Sequence, residues 1–186
     1  MIKRLPNYLT FARIAAIPIF VIVFYLPWEP WDRLIAAAIF AIAAATDWLD
    51  GYLARRWQVT SALGSFLDPV ADKILVSTAL VLILSRQEFH YLALPIAVII
   101  GREIVVSALR EWMAEVGARA KVAVGYIGKI KTTLQMISII LLLIHNPDTR
   151  SLIGITGYLL IYLAAILTLW SMLVYLRLAW PELMRD

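Results

Sequence analysis

Apolar residues occur along this chain in six runs separated by short polar connections. The runs cover Leu9–Leu26, Leu34–Leu49, Ile74–Ser85, Tyr91–Leu109, Ile127–Ile144 and Leu152–Leu176. A helix that crosses the hydrocarbon core of a bilayer needs about 20 mostly apolar residues. The short third run reaches that length if its helix starts at Asp68–Pro69, since proline behind an Asp N-cap is a recognised helix start. The pattern predicts an all-α integral membrane protein with six transmembrane helices.

Composition agrees with the apolar pattern. Hydrophobic residues make up 62% of the 186 residues and charged residues 16%, against about 45–50% and 25% in soluble domains. No separate soluble domain is apparent, so we expect residues 1–186 to form one membrane domain. Arg13 interrupts the first run and no cleavage pattern follows it, which favours a retained helix over a signal peptide. The chain has no cysteine, which excludes disulfides and thiolate chemistry.

The lysines and arginines predict the orientation of the six helices. Fourteen of the 17 would share one side with both termini, and only Arg33, Arg86 and Arg150 would lie on the other. Because cytoplasmic loops are enriched in these residues, both termini are expected in the cytoplasm. The net charge of +4 is dispersed between apolar runs, which favours an anionic membrane surface over nucleic acid. His90 and His145 would lie on the opposite side, away from a cytoplasmic site.

Four aspartates are the candidate chemical groups. Asp47 and Asp50 are three residues apart and Asp68 and Asp72 four apart, so each pair would share a helix face. The short connection between them allows a hairpin in which the pairs face each other. Carboxylates this close at a membrane boundary stay ionised together only with cations between them. Oxygen ligands select hard divalent ions such as Mg²⁺ or Mn²⁺, and a pair of ions could bridge a pyrophosphate.

Two glycines and an arginine accompany these aspartates. Gly51 and Gly64 remove side chains where a phosphate or nucleotide would approach, and Arg55 could neutralise a phosphate. Taken singly, each has a structural explanation: Arg55 as a membrane anchor, the glycines as helix-end residues, Asp68 as an N-cap. The combination favours a phosphate-handling metal site.

The stretch from Asp47 to Asp72 reads Asp-x-x-Asp-Gly-x-x-Ala-Arg, eight residues, then Gly-x-x-x-Asp-x-x-x-Asp. It resembles the signature of the CDP-alcohol phosphatidyltransferase family without a departure. Segments 6–13, 102–112 and 128–133 look like the bacterial branch that forms phosphatidylglycerophosphate. The resemblance implies a homodimer in the bacterial inner membrane, a cytoplasm-facing site, and CDP-diacylglycerol and sn-glycerol 3-phosphate as substrates among the membrane lipids.

The same resemblance implies roles for individual residues. Asp47, Asp50, Asp68 and Asp72 would hold divalent metal, and Asp72 would also be the general base. The CDP pocket would be lined by Asp50, Gly51, Ala54, Arg55 and Gly64. Because the acceptor carries a phosphate, a second basic pocket is expected. Its candidates are Arg110, Lys129 and Lys131, with Arg13 and Arg102 behind them, although basic loops also arise from topology alone. Asn7 and Thr10 could contact substrate or cap the first helix.

Other functions remain open at this stage. An intramembrane prenyltransferase also holds a diphosphate with aspartate-bound Mg²⁺, but in a longer chain with separated clusters. A cation transporter would often show an internal repeat or broken helices, and neither is visible. Within the resembling family, serine or inositol phosphate could replace glycerol 3-phosphate, because those enzymes share the four aspartates.

Overall fold

The computed structural model describes residues 5–26, 31–57, 62–117, 126–146 and 151–184, and no strand occurs among them. They form six α-helices and one short 3-10 helix, Gln87–Leu92, which precedes the fourth α-helix. The α-helices are α1 (Leu5–Tyr25), α2 (Asp32–Trp57), α3 (Ala62–Ser85), α4 (Ala93–Glu115), α5 (Tyr126–Ile144) and α6 (Leu152–Leu183). The prediction of an all-α protein with six helices is confirmed.

The third helix begins earlier than the sequence suggested. It starts at Ala62 and continues through Pro69, so the predicted start at Asp68–Pro69 is wrong. Pro69 has no N–H to offer the preceding turn, but Ala62 and Leu67 favour the helical conformation ahead of it. Asp68 therefore lies inside the helix and is no N-cap. Both Asp68 and Asp72 project from the body of a 24-residue helix.

The helices pack around an apolar core and expose further apolar residues outside it. Phe20, Phe40, Leu80, Ile99 and Leu142 are fully buried where α1 to α5 meet. On α6 the outward side chains are also apolar, and several of them are more than half exposed: Leu152, Leu159, Ile166 and Trp170. A soluble monomer rarely exposes so continuous an apolar surface. This outer surface is suited to lipid.

Helix α6 is the one clear membrane-span candidate by length and hydropathy within the described ranges, and Leu9–Tyr25 and Ile130–Ile144 are shorter apolar stretches. Charged residues interrupt the remaining helices, among them Asp47, Asp72 and Arg102. Ionisable residues within membrane helices are rare and usually functional. The charges that lower the hydropathy therefore mark the region where a site is expected.

One end of the bundle, at the start of α2 and α6 and the end of α5, is held by hydrogen bonds and ring packing. Arg33 Nη1 donates to the His145 carbonyl at 2.6 Å, and His145 Nδ1 lies 3.0 Å from Ser151 Oγ. The His145 ring packs edge-on against Phe89 and Tyr158. Burial lowers the pKa of His145 below its ordinary value of 6.5, and the nearby Arg33 lowers it further. This end, called the His145 end below, is stabilised by packing.

Candidate active site

Helix α1 contacts one aspartate on each of the two neighbouring helices. Arg13 Nη1 forms an ion pair with Asp47 Oδ1 at 2.6 Å, and Thr10 Oγ1 donates a hydrogen bond to Asp68 Oδ1 at 2.5 Å. Thr10 and Arg13 are three residues apart on one helical face, and both are almost fully buried. Helix α1 therefore fixes the position of one carboxylate from each predicted pair.

The carboxylates of α2 and α3 come together as their spacing suggested. Asp47 lies close enough to Asp68 and to Asp72 for their negative charges to repel. Such repulsion is relieved by cations, and Arg13 supplies one positive charge. The donor set consists of carboxylate oxygens, which fit Mg²⁺ or Mn²⁺. Among the described side chains, no three acidic or histidine groups lie together in a way that could hold a metal ion, and Asp50, the fourth predicted ligand, is outside that set.

For several predicted site residues the structure describes only the backbone. These are Asn7, Asp50, Gly51, Ala54, Arg55 and Lys129. Their backbones are helical, so Asp50 remains three residues from Asp47 on α2. Gly64 is buried near the start of α3, one turn before Asp68. The backbone thus preserves the helical spacing on which the prediction of paired carboxylates depended.

A second group of charges joins α4 to α5. Glu103 Oε1 accepts hydrogen bonds from Lys131 Nζ at 2.5 Å and from Arg102 Nη1 at 3.0 Å. Lys131 and Arg102 are buried. One carboxylate faces two cations, so the group carries excess positive charge in a place with little water. Such a group is suited to binding an anion.

Helix α6 positions the arginines of α4 through hydroxyl groups. Arg110 Nη2 donates to Tyr175 Oη at 2.6 Å, and Arg102 Nη2 donates to Ser171 Oγ at 3.0 Å. Both guanidinium groups also face the Tyr175 ring, at 5.0 Å for Arg110 and 5.7 Å for Arg102, within range of a cation–π interaction. The buried Nε atoms of both arginines have no partner among the described residues.

Sequence reasoning missed Ser171 and Tyr175. The available clue was that Ser171 and Tyr175 lie four positions apart in a mostly apolar run, which places them on one helical face. Arg102, Arg110 and Lys131 come together as expected for the basic pocket. Arg13, which was grouped with them, instead pairs with Asp47, and Thr10 bonds Asp68. We call Arg102, Glu103, Arg110, Lys131 and Tyr175 the basic cluster.

A cavity of about 60 Å³ connects the carboxylates with the basic cluster. It lies between α3, α4 and α5, and both Asp72 and Glu103 line it. Its remaining walls are formed by Lys73, Val76, Ser77, Leu80, Ile99, Ile100, Thr132, Gln135 and Met136. One of the predicted aspartates, Asp72, and one residue of the basic cluster, Glu103, therefore border the same small space.

Comparison with known proteins is consistent with this arrangement. The family model described as CDP-alcohol phosphatidyltransferase matches residues 3–170. Relatives from Yersinia enterocolitica, Sodalis glossinidius and Pectobacterium atrosepticum are 51%, 51% and 52% identical, each over 97% of this chain and 97% of the relative. All three are named CDP-diacylglycerol–glycerol-3-phosphate 3-phosphatidyltransferase. This chain belongs to the CDP-alcohol phosphatidyltransferase family.

Proposed function

We propose that this protein transfers the phosphatidyl group of CDP-diacylglycerol to sn-glycerol 3-phosphate, giving phosphatidylglycerophosphate and CMP. The name shared by the relatives supports this reaction. The structural observation that carries it is the cavity between Asp72 and Glu103. A transfer between a diphosphate donor and a phosphorylated alcohol needs a metal-binding acidic group on one side and cations on the other. The cavity is bordered by Asp72 on one side and on the other by Glu103, which bonds Lys131 and Arg102.

The acidic side would hold divalent metal. Asp47, Asp50, Asp68 and Asp72 are the ligands, with two Mg²⁺ or Mn²⁺ ions. The metal, when bound, offsets the negative charge of the diphosphate and of the departing CMP. Arg13 and Thr10 position Asp47 and Asp68 from α1. The CDP moiety binds beside these carboxylates, along Asp50, Gly51, Ala54, Arg55 and Gly64.

Asp72 acts as the general base. It takes the proton from the 1-hydroxyl of the acceptor, whose oxygen then attacks the phosphorus that carries the diacylglycerol. A new bond forms between that oxygen and the phosphorus, and the bond from the phosphorus to the CMP phosphate breaks in line. The reaction needs positioning and charge neutralisation rather than a covalent enzyme intermediate.

The basic cluster binds the phosphate of the acceptor. Arg110 and Arg102 each keep an Nε donor without a partner in the described part of the chain, and guanidinium groups bind phosphate oxygens in pairs. Lys131 adds a third positive charge, and Lys129 lies two residues earlier in α5. Asn7, one turn before Thr10 in α1, is a further candidate contact. A basic cluster favours phosphorylated acceptors over serine.

The membrane arrangement follows from the charge distribution. We place the six helices across the bacterial inner membrane with both termini and the site on the cytoplasmic side. Residues 1–186 act as one domain, and the protein functions as a homodimer. Membership of the CDP-alcohol phosphatidyltransferase family argues against the prenyltransferase and the cation transporter considered from the sequence.

An Asp72→Asn variant tests the proposed base. Asparagine keeps an oxygen for the metal but accepts no proton at neutral pH, so CMP release should fall by about 10²–10⁴-fold, the usual contribution of a general base. Binding of Mn²⁺, followed by its paramagnetic resonance spectrum, should largely persist. Asp32→Asn, in the first turn of α2, is the matched control and should retain full activity. Wild-type CMP release from Asp72→Asn would overturn the assignment of the base.

A further inference from the structure

Gln135 is a buried polar residue that the proposed chemistry leaves without a role. Its side chain is 4% exposed, and its amide has no hydrogen-bond partner among the described residues. It lines the same cavity as Asp72. Amide groups in folded proteins nearly always bond to protein, water or ligand. The Gln135 amide is therefore available to a molecule in the cavity.

The lining residues place Gln135 relative to the reacting groups. Along α3 the cavity runs from Asp72 through Ser77 to Leu80, about 12 Å at 1.5 Å per residue. Along α5 the cavity runs from Thr132 to Met136. Gln135 therefore lies between the charged lining residues and the apolar ones. Ser77, on α3, is a hydroxyl residue that lines the same cavity. The cavity thus has a neutral polar section next to its charged section.

We propose that Gln135, assisted by Ser77, binds the hydroxyl group of the acceptor that does not react. This inference rests on the proposed function. The reacting 1-hydroxyl must reach Asp72, and the phosphate on the third carbon must reach the basic cluster. Glu103 belongs to the basic cluster and also lines the cavity, so the middle carbon and its hydroxyl would pass along this wall.

The chemistry of the amide suits a hydroxyl better than the other parts of the substrates. An amide both donates and accepts hydrogen bonds, as a hydroxyl does, whereas it offers a phosphate no charge. A cavity of about 60 Å³ has room for a hydroxyl-bearing carbon but not for an acyl chain. Gln135 would then distinguish glycerol 3-phosphate from acceptors without the secondary hydroxyl.

The experiment compares two acceptors on the intact enzyme in detergent. One is glycerol 3-phosphate and the other is 3-hydroxypropyl phosphate, which has the same reacting hydroxyl and phosphate but no secondary hydroxyl. The wild type should prefer glycerol 3-phosphate in kcat/KM by roughly ten-fold or more, as expected when a site built to bind a hydroxyl meets an analogue without it. Gln135→Met, which keeps the volume, should reduce this preference to about one while the analogue's kcat/KM stays unchanged.

Two further variants complete the test. Gln135→Asn keeps the amide but withdraws it by one methylene, so the preference for glycerol 3-phosphate should fall several-fold. This variant still tests the proposal if Gln135→Met folds poorly. Ser138→Ala, one turn along α5, removes a buried hydroxyl that donates to the Gly157 carbonyl outside the cavity lining, and should leave the preference intact.

Two results would contradict the inference. If Gln135→Met and Gln135→Asn, confirmed as folded by gel filtration, keep the wild-type preference, Gln135 binds only water or packs structurally. If the wild type itself shows no preference, no such subsite exists. A wild type that releases CMP with neither acceptor would instead refute the proposed function, so the two failures are distinguishable.

Discussion

The two ends of the helical bundle are held together in different ways. At the site end, charged side chains connect the helices: Arg13 pairs with Asp47, and Lys131 with Glu103. At the His145 end, the contacts are ring packing and hydrogen bonds, and burial lowers the pKa of His145 below its ordinary value of 6.5. Buried ion pairs often stabilise a fold no better than apolar packing would. Their concentration at one end therefore indicates chemistry, and the packing of the other end indicates stability.

This difference predicts how substitutions at the two ends should behave. A change at the site end should alter kinetics or metal dependence while the protein stays folded. A change at the His145 end should lower the melting temperature while the turnover of each folded molecule stays constant. The following predictions test that separation.

Among the predictions that compare the two ends, the largest effect is expected at Arg110. Replacing it with Met removes a charged donor to the acceptor phosphate, and a hydrogen bond to a charged group contributes about 1.5–3 kcal/mol. The KM for glycerol 3-phosphate should rise about 10–100-fold, measured by CMP release at varied acceptor concentration. The control is Arg33→Met, which loses the bond to the His145 carbonyl and should lower the melting temperature without changing KM. Equal effects of both variants on KM would remove the distinction between the ends.

Gly154→Ala should lower the stability of the protein without changing its kinetics. A Cβ at this position would overlap the His145 ring, and overpacking of this kind typically costs about 1–3 kcal/mol. We expect a lower melting temperature in detergent and unchanged kcat for the folded fraction. Gly101→Ala is the matched control, because a Cβ there meets no atom within 4 Å. A Gly154→Ala protein as stable as the wild type would show that the packing of the His145 ring does not contribute to stability.

Thr10→Val should weaken metal binding by a smaller factor. It removes the hydroxyl that bonds Asp68 while keeping the shape of the side chain, so Asp68 is held less firmly. The Mg²⁺ concentration for half-maximal activity should rise several-fold, as the loss of about one hydrogen bond implies, and Mn²⁺ titration should show the same shift. Thr168→Val removes a buried hydroxyl without a partner in the described ranges and should change neither quantity. A Thr10→Val enzyme with wild-type metal dependence would count against α1 as a support for Asp68.

Acidification should produce the smallest effect. The pKa of His145 is lowered from 6.5 in the folded protein, so the unfolded chain binds the proton more readily. Stability should therefore be complete above pH 6.5 and decrease as the pH falls through that value. The measurement is the difference in melting temperature between the wild type and His145→Gln across pH 5 to 8. A constant difference over that range would mean that His145 does not titrate on unfolding.

Much of the fold and of the acidic group could be predicted from the sequence, because both depend on local spacing. Six apolar runs gave six helices, and intervals of three and four residues placed the aspartates of each pair on common faces. The start of α3 was mispredicted, since Pro69 suggested a first turn while the helix continues through it. Helix propensity and a single proline do not determine the residue at which a packed helix begins.

The contacts between helices could not be predicted in the same way. Thr10 and Asp68 are 58 residues apart, and Arg110 and Tyr175 are 65 apart. No periodicity links such positions, so Arg13 was assigned to the acceptor pocket although it pairs with Asp47, and Tyr175 was missed. Gln135 was also unremarkable in sequence, because only the packing of three helices shows that it lines a cavity with Asp72.

The most direct test of the account offers the purified protein different acceptors. The assay contains CDP-diacylglycerol and Mg²⁺, with glycerol 3-phosphate, serine or inositol phosphate added in separate reactions, and measures CMP. The account predicts rapid CMP release only with glycerol 3-phosphate, and none when the metal is removed by a chelator. Release triggered by serine or inositol phosphate instead, or release that persists without divalent metal, would contradict it.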